Sequence, residues 1–533
     1  DTNNHISMVV SRLSPPLLLT GTALLVLFSA SNALPVRPRG RGAASGAAPV
    51  KQAAVGTDDA SPVRPRETGA LRSGAFGKHA AGGSDEDGPL ILSDLIRTGQ
   101  STAFIQAKAR VKAPLDEVES YSGFFTTDDA TGNQMFSWYF PAQNGNASAP
   151  LLIWLQGGPG GSSLFGLFHE IGPYGLSKDK STGALALTRR KETWGDENAL
   201  LFIDNPVGAG FSYTAGGGYT KTEEDVSRNL LSALEQFYVV FPEQKKVPLY
   251  LTGESYAGHY IPAFAFAIHT RNAPLPPSSP LRIPLAGMAI GDGWIDPINM
   301  VPEYPGMLFG MGMIGQADKQ TFADYCATIV AQIEAGRMAE AFRIWDEMLN
   351  GDLSPYPSLF FNVTGSKDYD NTLNTLAPAS FDYFNQFVDS PAARAALHVG
   401  SVPFGTNATD CEMSLKADFM RSMVPEMVAL IPHYKVLIYS GSLDIIVGAP
   451  LTDAFLSKME FEGSPAFHAA PRTPFHLCAK DDDVAGYVKH AGRFTQAVVR
   501  GAGHILPHDQ PKRARDMIRR FVSSDSGWAP PAC

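Results

Sequence analysis

The sequence predicts an α/β architecture built on a largely parallel sheet, and three observations carry that expectation. Short apolar runs recur and each stops at Gly, Pro or Asp: "PLLIWLQGG", "ALLFIDNPVG", "VPLYLTGES", "IPLAGMAIGDG", "YKVLIYSGSLD" and "FTQAVVRGAGH". Unbroken runs of this kind suit strands buried on both faces. Helical patterns lie between them, as in "EEDVSRNLLSALEQFYVVF" from Glu223 to Phe241, whose first turn is acidic. Polar residues follow each run, at the carboxyl ends of the expected strands, where open α/β sheets place ligands.

Along the chain the elements read as follows. Residues 1–33 have the shape of a secretory signal, with translation from Met8: Arg12, an apolar stretch from Leu17 to Phe28, then small residues to Ala33. A membrane anchor is the alternative, but the stretch falls short of the roughly 20 residues that span a bilayer. Residues 34–88 are rich in Pro, Gly, Ala and Arg without apolar periodicity, as expected of a flexible linker or removable pro-segment. Order is expected from near Pro89, and residues 89–533 form the enzyme-sized domain. A hairpin follows, "SYSGFFTTD" and "MFSWYFPAQ" joined by turn residues. From about 300 to 430 the text is helix-like and loop-like, with no clear buried strand. It reads as an insertion covering one edge of the sheet, since the strand pattern resumes at 435.

Bulk properties narrow the classes. Apolar residues make up 44% and charged residues 18% of the 533 residues, so a large buried core is expected. The net charge of −10 gives no footprint for nucleic acid. Beyond the signal, no segment is long and apolar enough to cross a bilayer, so no stable anchor is expected after cleavage. Cys326, Cys411, Cys478 and Cys533 allow two disulfides in any of three pairings; none sits in a C-x-x-C spacing that would suggest zinc. Three sequons, at Asn146, Asn362 and Asn407, are glycan acceptors if exposed. No cofactor or metal is implied.

The chemistry concentrates at three strand ends. In "VPLYLTGESYAGHYIP" Ser255 follows a strand, flanked by Gly253, Ala257 and Gly258. A strand-to-helix elbow holds such a hydroxyl at the sheet edge, and small neighbours keep the tight backbone from clashing. Pro262 implies that any helix here kinks or restarts early. A serine needs a base and an orienting carboxylate. Asp444 and His504 each stand just past a later strand, and the order Ser, Asp, His is the one α/β-hydrolases use. His508 is the nearest rival base. Among the others, His259 follows the elbow, and His269, His398 and His433 fall in helical or loop text. An oxyanion donor is expected from an earlier strand end, and "WLQGGPGGSS" (154–163) supplies a glycine-dense turn with free N–H groups.

At these residues the chain resembles the serine carboxypeptidases, from about Pro89 to Pro531. The strings that carry the resemblance are "WLQGGPGGSS", "IDNPVGAGFSY", "GESYAGHYIP", "AIGDGWIDP", "AALHVG", "SGSLDIIV" and "GAGHILPHDQP". Gln156 in place of an asparagine, Gly161 in place of a cysteine and Asp292 in place of an asparagine point to the vitellogenic-like branch. The resemblance implies an α/β-hydrolase fold with an inserted helical cap. It implies a nucleophile at Ser255, a general base and acid at His504, and an orienting carboxylate at Asp444. The oxyanion hole would be the N–H groups of Gly158 and Tyr256. The substrate's C-terminal carboxylate would be gripped by Gln156, Gly157 and Glu254, supported by Trp154 and Glu170.

The implied activity is release of C-terminal amino acids from peptides or proteins through an acyl-enzyme, in a lysosome-like or vacuolar compartment or after secretion. Glu254 can hold a carboxylate only if one of the two carries a proton, so turnover is expected to be strongest at acidic pH. Two rivals remain at this point. Acyl transfer to an alcohol or amine, or ester hydrolysis, would use the same triad. A catalytically silent binding protein would have no need of all three triad residues.

Overall fold

A computed structural model describes residues 88–351, 353, 357–523 and 527–528. The expected signal (1–33), nearly all of the linker and Cys533 lie outside the described residues. Thirteen strands are present: β1 (Tyr121–Asp128), β2 (Asn133–Phe140), β3 (Leu151–Leu155), β4 (Tyr174–Lys178), β5 (Leu185–Arg189), β6 (Ala199–Ile203), β7 (Tyr213–Thr214), β8 (Leu249–Glu254), β9 (Leu285–Gly291), β10 (Lys435–Gly441), β11 (Thr473–Phe475), β12 (Gly486–Ala491) and β13 (Phe494–Val499). Eleven of them form one sheet in the order β1-β2-β6-β3-β8-β9-β10-β13-β12-β11, with β7 against β2; β4 and β5 form a separate hairpin. The six strands expected from the apolar runs are the central ones, and every pairing among them is parallel. Antiparallel strands close both edges: the expected hairpin β1–β2 on one side, β11 and β12 on the other.

Two-sided burial explains why the runs are unbroken. In β3, Leu151, Ile153 and Leu155 pack into the core on one face, Leu152 and Trp154 into the core on the other. β10 divides the same way, Val436 and Ile438 against Leu437 and Tyr439. Each such side chain contributes roughly 1.5–3 kcal/mol on burial, so a polar residue in these runs would be heavily penalised on either face. The helix Glu223–Val240 covers one face through Val226, Leu230, Leu234 and Phe237. Its first turn is closed by Thr222, whose hydroxyl accepts from the Asp225 N–H at 3.3 Å.

The strand ends are in register. Leu155 stands opposite Gly253, Glu254 opposite Gly291, Gly291 opposite Tyr439, and Gly441 opposite Val499. Residues that follow β3, β8, β9, β10 and β13 therefore emerge along one sheet edge. Between β9 and β10 the described chain is helical, with no strand. Its two feet are neighbouring strands, since β9 and β10 pair at the sheet's centre. The segment leaves and returns over the strand ends: the Asp370 carbonyl accepts from the His504 N–H, and the Ala408 turn packs on Gly160. It then reaches the β1 edge, where Ser122 Oγ donates to the Leu397 carbonyl at 2.9 Å.

Two further points concern Pro262 and the cysteines. Pro262 does not restart its helix as a second element; Ala257–Asn272 is continuous around it. Residues 257–265 are buried throughout, so packing on every side outweighs one missing backbone hydrogen bond. Nor do the four cysteines make two disulfides. Cys326 and Cys411 are buried free thiols, the Cys411 Sγ donating to the Val207 carbonyl at 3.3 Å, whereas Cys478 is disulfide-bonded. Denaturing the unreduced protein with an alkylating agent should therefore label Cys326 and Cys411 and leave Cys478 unlabelled, as read by peptide mass spectrometry.

Candidate active site

The chain turns sharply between β8 and the helix Ala257–Asn272, and Ser255 sits at the turn with φ 63°. A left-handed backbone costs a non-glycine residue roughly 1–2 kcal/mol, so surrounding bonds must hold it. The Ser255 N–H donates to the Gly291 carbonyl at 2.9 Å, and its carbonyl accepts from the N–H groups of Gly258 (2.9 Å) and Trp294 (3.0 Å). The small neighbours are obligatory. A Cβ at Gly253 would lie 2.2 Å from the Leu155 carbonyl oxygen, and one at Gly258 would lie 2.6 Å from that of Trp294.

Asp444, fully buried after β10, accepts from His504 Nδ1 on Oδ2 at 3.0 Å and from the Val447 N–H on Oδ1 at 3.1 Å. The loop after β13 is pinned by its backbone: the His504 N–H donates to the Asp370 carbonyl at 2.7 Å, and the Gly503 N–H to Asp509 Oδ2 at 2.7 Å. Burial works to lower the His504 pKa, but the charge and hydrogen bond of Asp444, with Asp370 and Glu254, raise it to about 9. The Ser255 hydroxyl makes no hydrogen bond among the described residues; in unliganded enzymes the nucleophile–base contact is often long and tightens with substrate. His508 lies elsewhere, its Nδ1 3.3 Å from the His169 carbonyl. His259 is a buried packing residue, stacked on Tyr256 and bonded through Nδ1 to the Trp294 carbonyl at 2.6 Å. His269 stacks on His433, and His398 lies beside Ser122.

The glycine-dense turn after β3 is wedged under the elbow. A Cβ at Gly157 would lie 2.6 Å from both the Ser255 Cβ and the Tyr256 nitrogen. Gly158 adopts φ 117°, a region closed to other residues, and precedes a cis proline. The N–H groups of Gly158 and Tyr256 enter no backbone hydrogen bond among the described residues. Asp204, at the end of β6, ties the turn down: Oδ1 accepts from Ser162 Oγ (2.6 Å) and the Ser163 N–H (3.0 Å), Oδ2 from the Phe211 N–H (2.8 Å).

Beside the turn runs a buried polar chain. Trp154 Nε1 donates to Gln156 Oε1 at 2.9 Å, and Gln156 Nε2 donates to Glu254 Oε1 at 2.7 Å. Glu170 comes up on a π-helical turn, Gly166–Glu170, where a Cβ at Gly166 would strike the Trp154 indole at 2.1 Å. Glu254 and Glu170 are fully buried. Burial first, then the charge of Glu170, push Glu254 well above the carboxylate range, against the pull of His504. Burial pushes Glu170 up to about 8, with Glu254 and Arg190 opposing. Neither Glu170 oxygen nor Glu254 Oε2 finds a donor among the surrounding side chains. Two facing carboxyls can satisfy one another only by sharing a proton, which is what their raised affinities supply.

The family pattern described as "Serine carboxypeptidase" matches residues 111–524. This chain belongs to the serine carboxypeptidase family. It is 42% identical over 443 residues to the human "Probable serine carboxypeptidase CPVL", covering 83% of this chain and 91% of that protein. It is 40% identical over 441 residues to the "Vitellogenic carboxypeptidase" of Aedes aegypti, covering 81% and 90%. Among solved structures it is similar to the prohormone-processing carboxypeptidase Kex1 of Saccharomyces cerevisiae, with a TM-score of 0.68 at 23% identity, covering 80% of this chain and 99% of that one. That likeness shows the α/β-hydrolase type of fold. The protein is a serine-type carboxypeptidase, a hydrolase acting on peptide C-termini.

Several residues around the site of this carboxypeptidase were not singled out in the sequence. Arg190, half-buried and lowered to about 10 by desolvation, is a cation whose charge acts on Glu170; the strand before it gave no apolar signal. Asp370 presents its carboxyl to His504 from the helical segment and is pushed up to about 6 by burial. Asp204 was legible in principle, as an acid directly after a buried strand. Replacing Gly157 with alanine should lower kcat/KM by about a hundredfold, because even a 1 Å displacement of a reacting group costs on that order. Steady-state kinetics alongside a thermal melt would separate this from unfolding.

Proposed function

We propose that the carboxypeptidase cleaves the last peptide bond of its substrate through an acyl-enzyme. Ser255 Oγ attacks the scissile carbonyl, His504 takes the hydroxyl proton and later gives one to the leaving amine, and Asp444 orients the imidazole. The observation that carries this reading is the buried 3.0 Å bond between His504 Nδ1 and Asp444 Oδ2. It fixes the proton on Nδ1 and leaves Nε2 as the nitrogen available to Ser255. The unused N–H groups of Gly158 and Tyr256 receive the developing oxyanion. The Trp154–Gln156–Glu254 chain, with Glu170 behind it and the Gly157 backbone beside it, receives the substrate's terminal carboxylate.

The site then requires a protonated carboxyl. A C-terminal carboxylate meets a donor while the Glu254–Glu170 pair holds its proton and meets a second anion once that proton is lost, above about pH 8 by the value for Glu170. Grip on a free acid is therefore complete at low pH and fades as pH rises. His504 acts in the opposite sense, since it must be neutral to accept a proton and is raised to about 9. One of its supports weakens at low pH, however: Asp370 loses its charge below about 6. On this balance we place the best peptide turnover on the acidic side.

We place the protein in the secretory pathway, in a lysosome-like compartment or outside the cell. The sequon residues Asn146 and Asn362 are exposed and Asn407 is half-buried. Cys478 is disulfide-bonded, as an oxidising compartment permits. Among the described residues no helix is long and apolar enough to cross a membrane.

Sequencing peptide C-termini after incubation should show stepwise release by the wild type and a loss of about a thousandfold or more with Ser255→Ala. Internal cleavage, or undiminished release by the variant, would overturn the reading. For the carboxylate grip, the ratio of kcat/KM for a free-acid peptide to that for its amide cancels the titration of His504. Measured from about pH 5 to about pH 9, this ratio should be flat at the acid end and fall toward the alkaline end. A ratio independent of pH would remove the Glu254–Glu170 pair from substrate recognition.

A further inference from the structure

Directly after β9, between the strand ends bearing Ser255 and Asp444, stands Asp292. Its backbone is left-handed (φ 44°), unusual for a residue with a side chain, and its N–H donates to the Tyr439 carbonyl at 2.7 Å. The side chain is fully buried. Oδ1 accepts from the Gly441 N–H at 2.7 Å, and Oδ2 finds no donor among the described residues. One carboxyl oxygen of Asp292, one of Asp444 and a ring nitrogen of His504 all lie within 4.8 Å of one another.

Two ionised carboxyls cannot share this space. At about 4 Å and an effective dielectric near 20 their repulsion is roughly 4 kcal/mol, about three pKa units, before any cost of burying the second charge. Asp444 accepts two N–H donors, from Val447 and His504; Asp292 accepts one, from Gly441. The anion is better solvated on Asp444, so the proton belongs to Asp292. Burial, with the charge and hydrogen bond of Asp444, indeed pushes Asp292 well above its ordinary range. The other titratable groups facing the pair do not reverse this. Glu254 from β8 adds negative charge, Tyr439 from β10 is itself held neutral by burial, and Asp370 acts on His504 and Asp444. A cation held by the three groups is disfavoured, because Asp444 Oδ2 and His504 Nδ1 already engage each other.

We propose that Asp292 is a positioning residue for the hydrolysis: it stands neutral, donates its carboxyl proton to Asp444, and so keeps a single, fixed negative charge behind His504. The inference rests on the reading of Ser255, His504 and Asp444 as the catalytic triad. A neutral Asp292 gives Asp444 a third donor beside those of Val447 and His504. It also spares His504 a second anion that would hold the imidazole protonated where it must act as a base.

The test compares pH profiles of kcat/KM for an amidated peptide, whose binding does not involve the Glu254 pair, in wild type, Asp292→Ala, Asp292→Asn and Ser255→Ala. Asp292→Ala should lose about tenfold to a hundredfold, because Asp444 loses the carboxyl donor beside its two N–H donors. Asp292→Asn, whose amide N–H replaces the carboxyl O–H, should restore most of that loss and leave the acid limb where the wild type has it. An ionised Asp292 predicts something else: its conversion to asparagine would remove a buried charge and move the acid limb at least one pH unit lower. That shift overturns the inference, as does an Asp292→Ala enzyme with wild-type rate and profile. Failure of Asp292→Asn to fold also overturns it, since the change is isosteric and neutral if a proton is present. Activity retained by Ser255→Ala would instead mean that the triad reading itself had failed.

Discussion

The edge of the central sheet depends on how protons are divided among carboxyl groups that have been taken out of water. Glu254, Glu170, Asp292 and Asp444 converge there, fully buried, with the half-buried Asp370 beside them, while Arg190 is the nearby guanidinium and His504 the nearby imidazole. With so little positive charge available, most of these acids must remain neutral, and each neutral acid becomes a donor. Asp444, with two N–H donors of its own, is the place where a full negative charge is best supported. The fold thus sets acid beside acid to produce donors without importing cations.

That arrangement needs stiff surroundings, because a neutral acid pair loses its bond if either partner swings away. Stiffness comes from glycine. At Gly157, Gly253, Gly258 and Gly503 backbones approach so closely that no Cβ fits, and the elbow, the turn after β3 and the loop after β13 are locked by backbone hydrogen bonds. The left-handed conformations of Ser255 and Asp292 persist within that lattice. Local strain is stored where the surrounding structure over-determines it.

How much of this was legible in the sequence follows from the same physics. The central strands were readable because two-sided burial demands unbroken apolar runs, and Ser255, Asp444 and His504 were readable because each closes one of those runs. The strands β4, β5, β11 and β12 were missed because they are half-exposed or edge elements with mixed text, such as "LALTR". The continuity of the helix through Pro262 was missed because the rule against proline speaks of local hydrogen bonds, whereas this helix is held by tertiary packing. Cysteine count suggested two bridges, but pairing depends on distances between remote segments, and Cys326 and Cys411 turned out to be packing residues. Glu170 was reached only through resemblance, since a π-helical turn has no sequence period of its own to announce it.

The helical excursion between β9 and β10 starts and finishes on adjoining strands. A segment anchored in this way is a closed loop whose length and internal packing can change while the span between its feet stays the same, and entropy charges only logarithmically for added residues. It overhangs the reactive edge without supplying the nucleophile, its base or the orienting acid proposed here. Evolution can therefore reshape what the enzyme admits by rewriting this canopy, while the machinery beneath it is inherited unchanged.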